Sequence, residues 1–163
     1  MRHSILMITT FLLVNGALSQ KPIHDFNDLM EAFNSGKSVN GVFHYAKCKL
    51  YSDGIEQKDT IQAIGGMHLA VWEYFDSSIF KGKVPSFVTA SETVLINHPV
   101  HGYVYNYVKV KIRIDNSVEI TARYLRPKKF SSKFKVVMDE TFKGVINDGS
   151  NDAGIYFYST EGN

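Results

Sequence analysis

The spacing of hydrophobic positions divides this chain into three unequal parts. A short continuous apolar run comes first, from Ile5 to Val14. Helical spacing follows in IHDFNDLMEAFNSGKSV, where Phe26, Leu29, Met30 and Phe33 share one face. Asp25 or Asn27 can cap this helix, because a side-chain oxygen there accepts from the free amides of the first turn. Gly36 suits the left-handed turn that ends a helix. From Ser38 onward the period is two, as in strands.

Seven strands are expected from that alternation. They are SVNGVFHYAKC, with Val39, Phe43 and Tyr45 on one side; GGMHLAVWEYF (65–75), with Met67, Leu69, Val71 and Phe75 on one face; SFVTASETVLIN (86–97); HGYVYNYVKVKIRI (101–114); SVEITARYL; FKVVMDETFKGVIN, bent or broken; and AGIYFYST. The segments SDGIEQKDT, DSSIFKGKVP and PKKFSSK read as polar loops. Strands separated by turn residues, with one helix in front, predict a mainly β fold. The expected architecture is a single antiparallel β-barrel or sandwich-like domain over 20–163.

The strand 101–114 carries Tyr103, Tyr105 and Tyr107 at alternate positions, then Lys109, Lys111 and Arg113 in the same row. Its even positions, Val108 to Ile114, are apolar, as are Val118, Ile120 and Ala122 of the next strand. Facing residues share a sheet face, so apolar must meet apolar. Pairing Ile114 with Val118 satisfies this. It sets Arg113 against Glu119 and Lys109 against Arg123. In this reading the tyrosine half of the row is covered by protein and the Lys–Arg half is wet.

Composition and charge then narrow the class. The formal charge is +2 over 163 residues and Lys and Arg form no long cluster, so there is no nucleic-acid footprint. The opening MRHSILMITTFLLVNGALS has a basic start, an apolar core too short to span a bilayer comfortably, and small residues at Ala17 and Ser19. That order predicts a signal peptide over 1–19 and a secreted, extracellular product starting at Gln20. The rest holds no long apolar run, hence no expected transmembrane segment. One cysteine, Cys48, exists, so no intramolecular disulfide can form. The thiol is expected to be buried, with a Cys48-linked dimer as the other reading. No N-glycosylation sequon occurs.

Candidate chemistry is sparse. His98 and His101, in HPVH, could share a metal, since imidazole is a common ligand, but no further ligand is adjacent. NDGSNDAG has alternating oxygen donors but lacks the closing Glu of a calcium loop. Cys48 and His44 lie about 13 Å apart on an extended strand, too far for a thiol–imidazole pair. Glu73, Asp139 and Glu140 are the carboxylates that a hydrolase would have to bring together. No nucleophile elbow or HExxH helix is present. The aromatic residues Trp72, Tyr74, Tyr103, Tyr105 and Tyr107 are the candidates for contact with an apolar or sugar ring.

The segments FNDLMEAFNSGKSVNGVFHYAKC, IQAIGGM, WEYF, FVTASETVLI, GYVYNYVKVKIRIDNSVEITARYL, VVMDETFKGVINDG and GIYFYS resemble the VirK proteins, from about Phe26 to Ser159. The resemblance implies export and a single β-rich domain, and it implies no activity. It also implies, for bacterial members, a second cysteine near the position of Gly144, which this chain lacks. The expected function is a secreted non-enzymatic binding module for a small apolar or carbohydrate ligand, with no cofactor. The alternative is a structural or extracellular-matrix component acting through its surface, and a hydrolase ranks behind both.

Overall fold

The computed structural model describes residues 20–128 and 133–160. The signal peptide expected over 1–19 lies outside the described residues, as does part of the PKKFSSK loop. Eleven strands and one α-helix follow in order. They are β1 (Lys21–Ile23), α1 (Phe26–Asn34), β2 (Ser38–His44), β3 (Lys49–Ser52), β4 (Ile55–Glu56), β5 (Ile64–His68), β6 (Trp72–Phe75), β7 (Phe87–His98), β8 (Gly102–Arg113), β9 (Ser117–Pro127), β10 (Phe134–Val145) and β11 (Ile155–Thr160).

Helix α1 forms where the spacing predicts it. Asp25 is the cap: its Oδ1 accepts the Asp28 amide at 2.8 Å. The Phe26 amide, free at the helix start, is taken by Asn116 Oδ1 at 2.8 Å. Gly36 closes the other end at φ 72°, and the Lys37 amide reaches back to the Ala32 carbonyl. The buried face is Phe26, Leu29, Ala32 and Phe33.

The strands form two antiparallel sheets, in order β1-β11-β2-β5 and β4-β3-β10-β9-β8-β7-β6. The sheets do not close into a barrel, so of the two expected architectures the sandwich-like one holds. One core cluster joins them. It contains Leu29 and Phe33 from the helix, Phe43 and Phe157 from the small sheet, and Ile112, Ile120 and Phe142 from the large one. Burying these chains supplies about 1.5–3 kcal/mol each, the main force holding the layers together.

Three expectations fail. The strand expected over 65–75 is two strands in different sheets: β5 pairs with β2, and β6 pairs with β7. The chain crosses over at Leu69, Ala70 and Val71, so Val71 leaves the apolar face and is 76% exposed. The first expected strand also breaks early. Residues 45–47 form a 3-10 turn, which brings the Cys48 thiol back against the His44 carbonyl at 3.7 Å.

The β8–β9 register is the third. Faces are assigned correctly, even with even, but the pairing is shifted by two. Ile112 faces Val118, Lys111 faces Glu119 and Tyr107 faces Arg123. The loop is Ile114, Asp115 and Asn116, with Asn116 left-handed at φ 65°. A three-residue hairpin closed by one left-handed residue accounts for the shift. The Arg113–Glu119 ion pair still forms, diagonally, at 3.3 Å. The like-charge pair does not, because Lys109 faces Thr121.

Candidate functional site

Register fixes which side chains share the outer face of the large sheet. Along β8 the odd residues point outward and the even ones, including the fully buried Val104, Val110 and Ile112, point inward. The tyrosine row therefore lies on the outer face. No strand or helix among the described residues covers it, and Tyr103 is 70% exposed. The expected gradient fails at both ends of the row, while Tyr105 and Tyr107 are half-buried and Lys109 is exposed. At the other end of the row Lys111 Nζ sits 3.9 Å over the Phe87 ring and Arg113 is half-buried with Glu119. Lys111 is held below the usual lysine range by burial first and by neighbouring Arg113 second.

Cross-strand pairing builds a site around two of the tyrosines. Leu95 of β7, Tyr105 of β8, Leu125 of β9 and Val136 of β10 face one another in succession across four strands. Phe134 meets the Tyr105 ring edge-on, 5.6 Å between centroids at 89°. Tyr103, Leu95, Phe134 and Val136 are all exposed. The next row is polar: Thr93, Tyr107, Arg123 and Asp139, with Arg123 Nε 2.9 Å from Asp139 Oδ1. The result is an apolar aromatic platform bordered by a paired cation and anion. Leu125 went unnoticed in the sequence because the two-residue shift moves the β9 partner of Tyr105, and Leu95, Phe134 and Val136 because alternation alone assigns no pairing to β7 or β10.

The other candidates do not join this platform. Trp72 and Tyr74 pair with Ala90 and Val88, which places them on the inner face. Trp72 stacks on Phe33 at 4.5 Å as part of the core, and Tyr74 donates to Asp76 at 3.3 Å. His98 and His101 stack on each other at 4.8 Å, with Tyr124 against both. Nδ1 of His98 already accepts the Val100 and His101 amides. Among the described residues no three His, Cys, Asp or Glu side chains are grouped to hold a metal. The oxygens of the 147–154 loop turn inward: Asp148 Oδ1 accepts from Ser150 and Asn151.

The three carboxylates are dispersed. Asp139 and Glu140 are neighbours in β10 and point to opposite faces, while Glu73 is exposed on β6 at the sheet's far edge. Glu140 Oε2 is buried on the inner face without a hydrogen-bond partner, and burial raises its pKa. Nearby, Tyr45 packs 4.3 Å from Phe142 and is pushed up to about 12, chiefly by burial and next by Tyr124. Cys48 is buried, 7% exposed, and burial raises its thiol pKa. A buried, neutral thiol is poorly placed to bridge two chains, so the Cys48-linked dimer loses its support. A Cβ on Gly144 would stand 3.5 Å from Cys48 Sγ, so the cysteine that the resemblance implies falls beside Cys48.

The VirK protein family model matches residues 22–130. The chain belongs to the VirK family. Among solved structures, a VirK family protein from Legionella pneumophila shares the fold, with a TM-score of 0.61 and 15% identity over 83% of this chain and 97% of that one. The comparison with curated proteins finds no match. The VirK match includes β7, β8 and β9 whole and stops before β10, so three of the four strands of the platform lie inside it. No described helix of this VirK protein is long and apolar enough to cross a membrane.

Proposed function

We propose that this VirK protein is an exported, non-enzymatic binding module whose outer sheet face takes a carbohydrate. The observation that carries the reading is the row of exposed Tyr103, half-buried Tyr105 and exposed Phe134, next to the Arg123–Asp139 pair. A sugar ring offers C–H groups to an aromatic face and hydroxyls to charged neighbours, and this surface has both in adjacent rows. A small apolar ligand suits it less, because such ligands are held by enclosing pockets. Among the described residues the cleft beside Tyr107 is open and lined by Glu73, Thr89, Ser91 and Lys109 as well as Trp72. A hydrolase suits it less too, given the dispersal of Glu73, Asp139 and Glu140. Export is supported by the order of basic, apolar and small residues in 1–19.

The test is titration of the folded protein with a panel of oligosaccharides, followed by NMR or calorimetry. Tyr103→Ala and Tyr105→Ala should each weaken binding about tenfold, equivalent to 1.4 kcal/mol. Because Tyr103 is 70% exposed, its removal should leave the melting temperature unchanged. Trp72 emission should not respond, since Trp72 stacks on Phe33 behind the sheet. No binding across the panel, or binding indifferent to both tyrosines, would sink the reading.

A further inference from the structure

The two sheets differ in reach, and the larger one ends in open edges. β6 pairs with β7 only as far as Ala90. Beyond it, residues 91–98 of β7 pair with β8 on one side and with no described strand on the other. On the opposite margin β3 pairs with β10 only at 140–143, so 134–139 is open as well.

Open edges invite pairing with another chain, and proteins blunt them with short strands, Pro, Lys or bulges. Most edges here are blunted. β1 has three residues and Pro22; β4 has two residues; β5 has five, with Gly65 and Gly66; β6 has four. The open part of β10 carries Lys135 and a register shift between Val136 and Met138. Residues 91–98 of β7 form a long edge with no Pro, Lys or bulge; their one charged side chain is Glu92, on the inner face. Their sequence is SETVLINH, regular in register, with Val94 47% and Leu95 55% exposed.

The hydrogen-bonding side of each residue follows from one bond. The Ile114 amide donates to the Ser86 carbonyl at 3.1 Å, so even residues of β7 bond to β8. Alternation then turns the amides and carbonyls of Ser91, Thr93, Leu95 and Asn97 toward the open edge. A two-fold pairing of this segment with itself must keep odd residues opposite odd ones. Centred on Val94, it would set Glu92 against Ile96. Centred on Leu95, it sets Leu95 against Leu95, Val94 against Ile96, Thr93 against Asn97 and Glu92 against His98. The second register matches apolar with apolar, polar with polar, and a carboxylate with an imidazole.

We propose that the chain forms a two-fold dimer by antiparallel pairing of residues 91–98 of β7 with the same segment of a second copy, centred on Leu95. The two large sheets then become one continuous sheet, and the platforms around Tyr105 lie side by side on the same face. The inference rests on the open edge and not on the proposed ligand, so Tyr103→Ala should bind glycan more weakly while remaining dimeric.

Light scattering coupled to size-exclusion chromatography should give twice the monomer mass. Leu95→Lys and Thr93→Lys, both at exposed positions, should give folded monomers with unchanged circular dichroism. Leu95→Cys should form a disulfide between copies on mild oxidation, because it faces itself, while Val94→Cys should not. A monomer at every concentration, a dimer that survives both lysines, or equal cross-linking at 94 and 95 would each overturn the proposal.

Discussion

Two single residues carry the clearest energetic signatures. Glu140 keeps one oxygen buried and unpaired, and its folded pKa is raised above the unfolded value. The folded state therefore holds a proton that the unfolded state has already released. This stabilisation is complete below the ordinary carboxylate range and is lost as pH rises through the raised value. Glu140→Gln should remove that pH slope. It should stabilise the protein at pH 8 by about 1 kcal/mol or less, because the group is only partly buried. Denaturation by urea at pH 4 and pH 8 checks this. Gly144 is the second residue. With its Cβ position 3.5 Å from Cys48 Sγ, Gly144→Cys should form an intramolecular disulfide under oxidising conditions. Closing a loop of roughly a hundred residues stabilises by up to about 4 kcal/mol, less the strain of crowding Ile155. A rise in melting temperature that reductant abolishes is the expected result.

At the scale of elements, one aromatic stack ties α1 to β6. Trp72 stacks on Phe33 at 4.5 Å and links the helix to the edge of the large sheet. Trp72→Ala should destabilise the fold by about 2–3 kcal/mol while leaving glycan affinity intact, measured by thermal melts beside the titration. This element scale also separates what was legible from what was not. The helix and its Gly36 stop follow from side-chain chemistry within a few residues and appear where the sequence predicts, and of the two caps the sequence allows the structure uses Asp25. The crossover at 69–71 was hidden because alternation continues through it: a chain changing sheets keeps its period. The β8–β9 register was hidden because a shift of two preserves every face. Only the left-handed Asn116 decides between the two pairings, and the alternation carries no trace of it.

For the whole molecule, the unequal size of the sheets decides which surfaces are wet. Alternation says that a strand has two faces but not how far the opposing layer extends. Nor does it say which face a second layer packs on: the tyrosine row of β8 was expected under cover and lies on the uncovered outer face instead, while the candidate platform was legible only as a row of three residues. The same mismatch predicts a gradient of local stability. Amides in the far half of β8, around Tyr103 and Tyr105, have solvent on the outer face. Those near Val110 and Ile112 back onto the common core. Hydrogen exchange should therefore be faster at 103–107 than at 110–112, by mass spectrometry on the folded protein.

Asn116 ties that architecture to time. It sits in the β8–β9 turn, yet its side chain accepts the first amide of α1, ninety positions earlier, and its carbonyl accepts the Ile146 amide. A ribosome delivers α1 long before either partner exists. The short helix cannot hold alone, since isolated helices of this length are marginal in water. Order of synthesis and order of consolidation thus differ: a segment made early gains this cap only once residue 116 has been made.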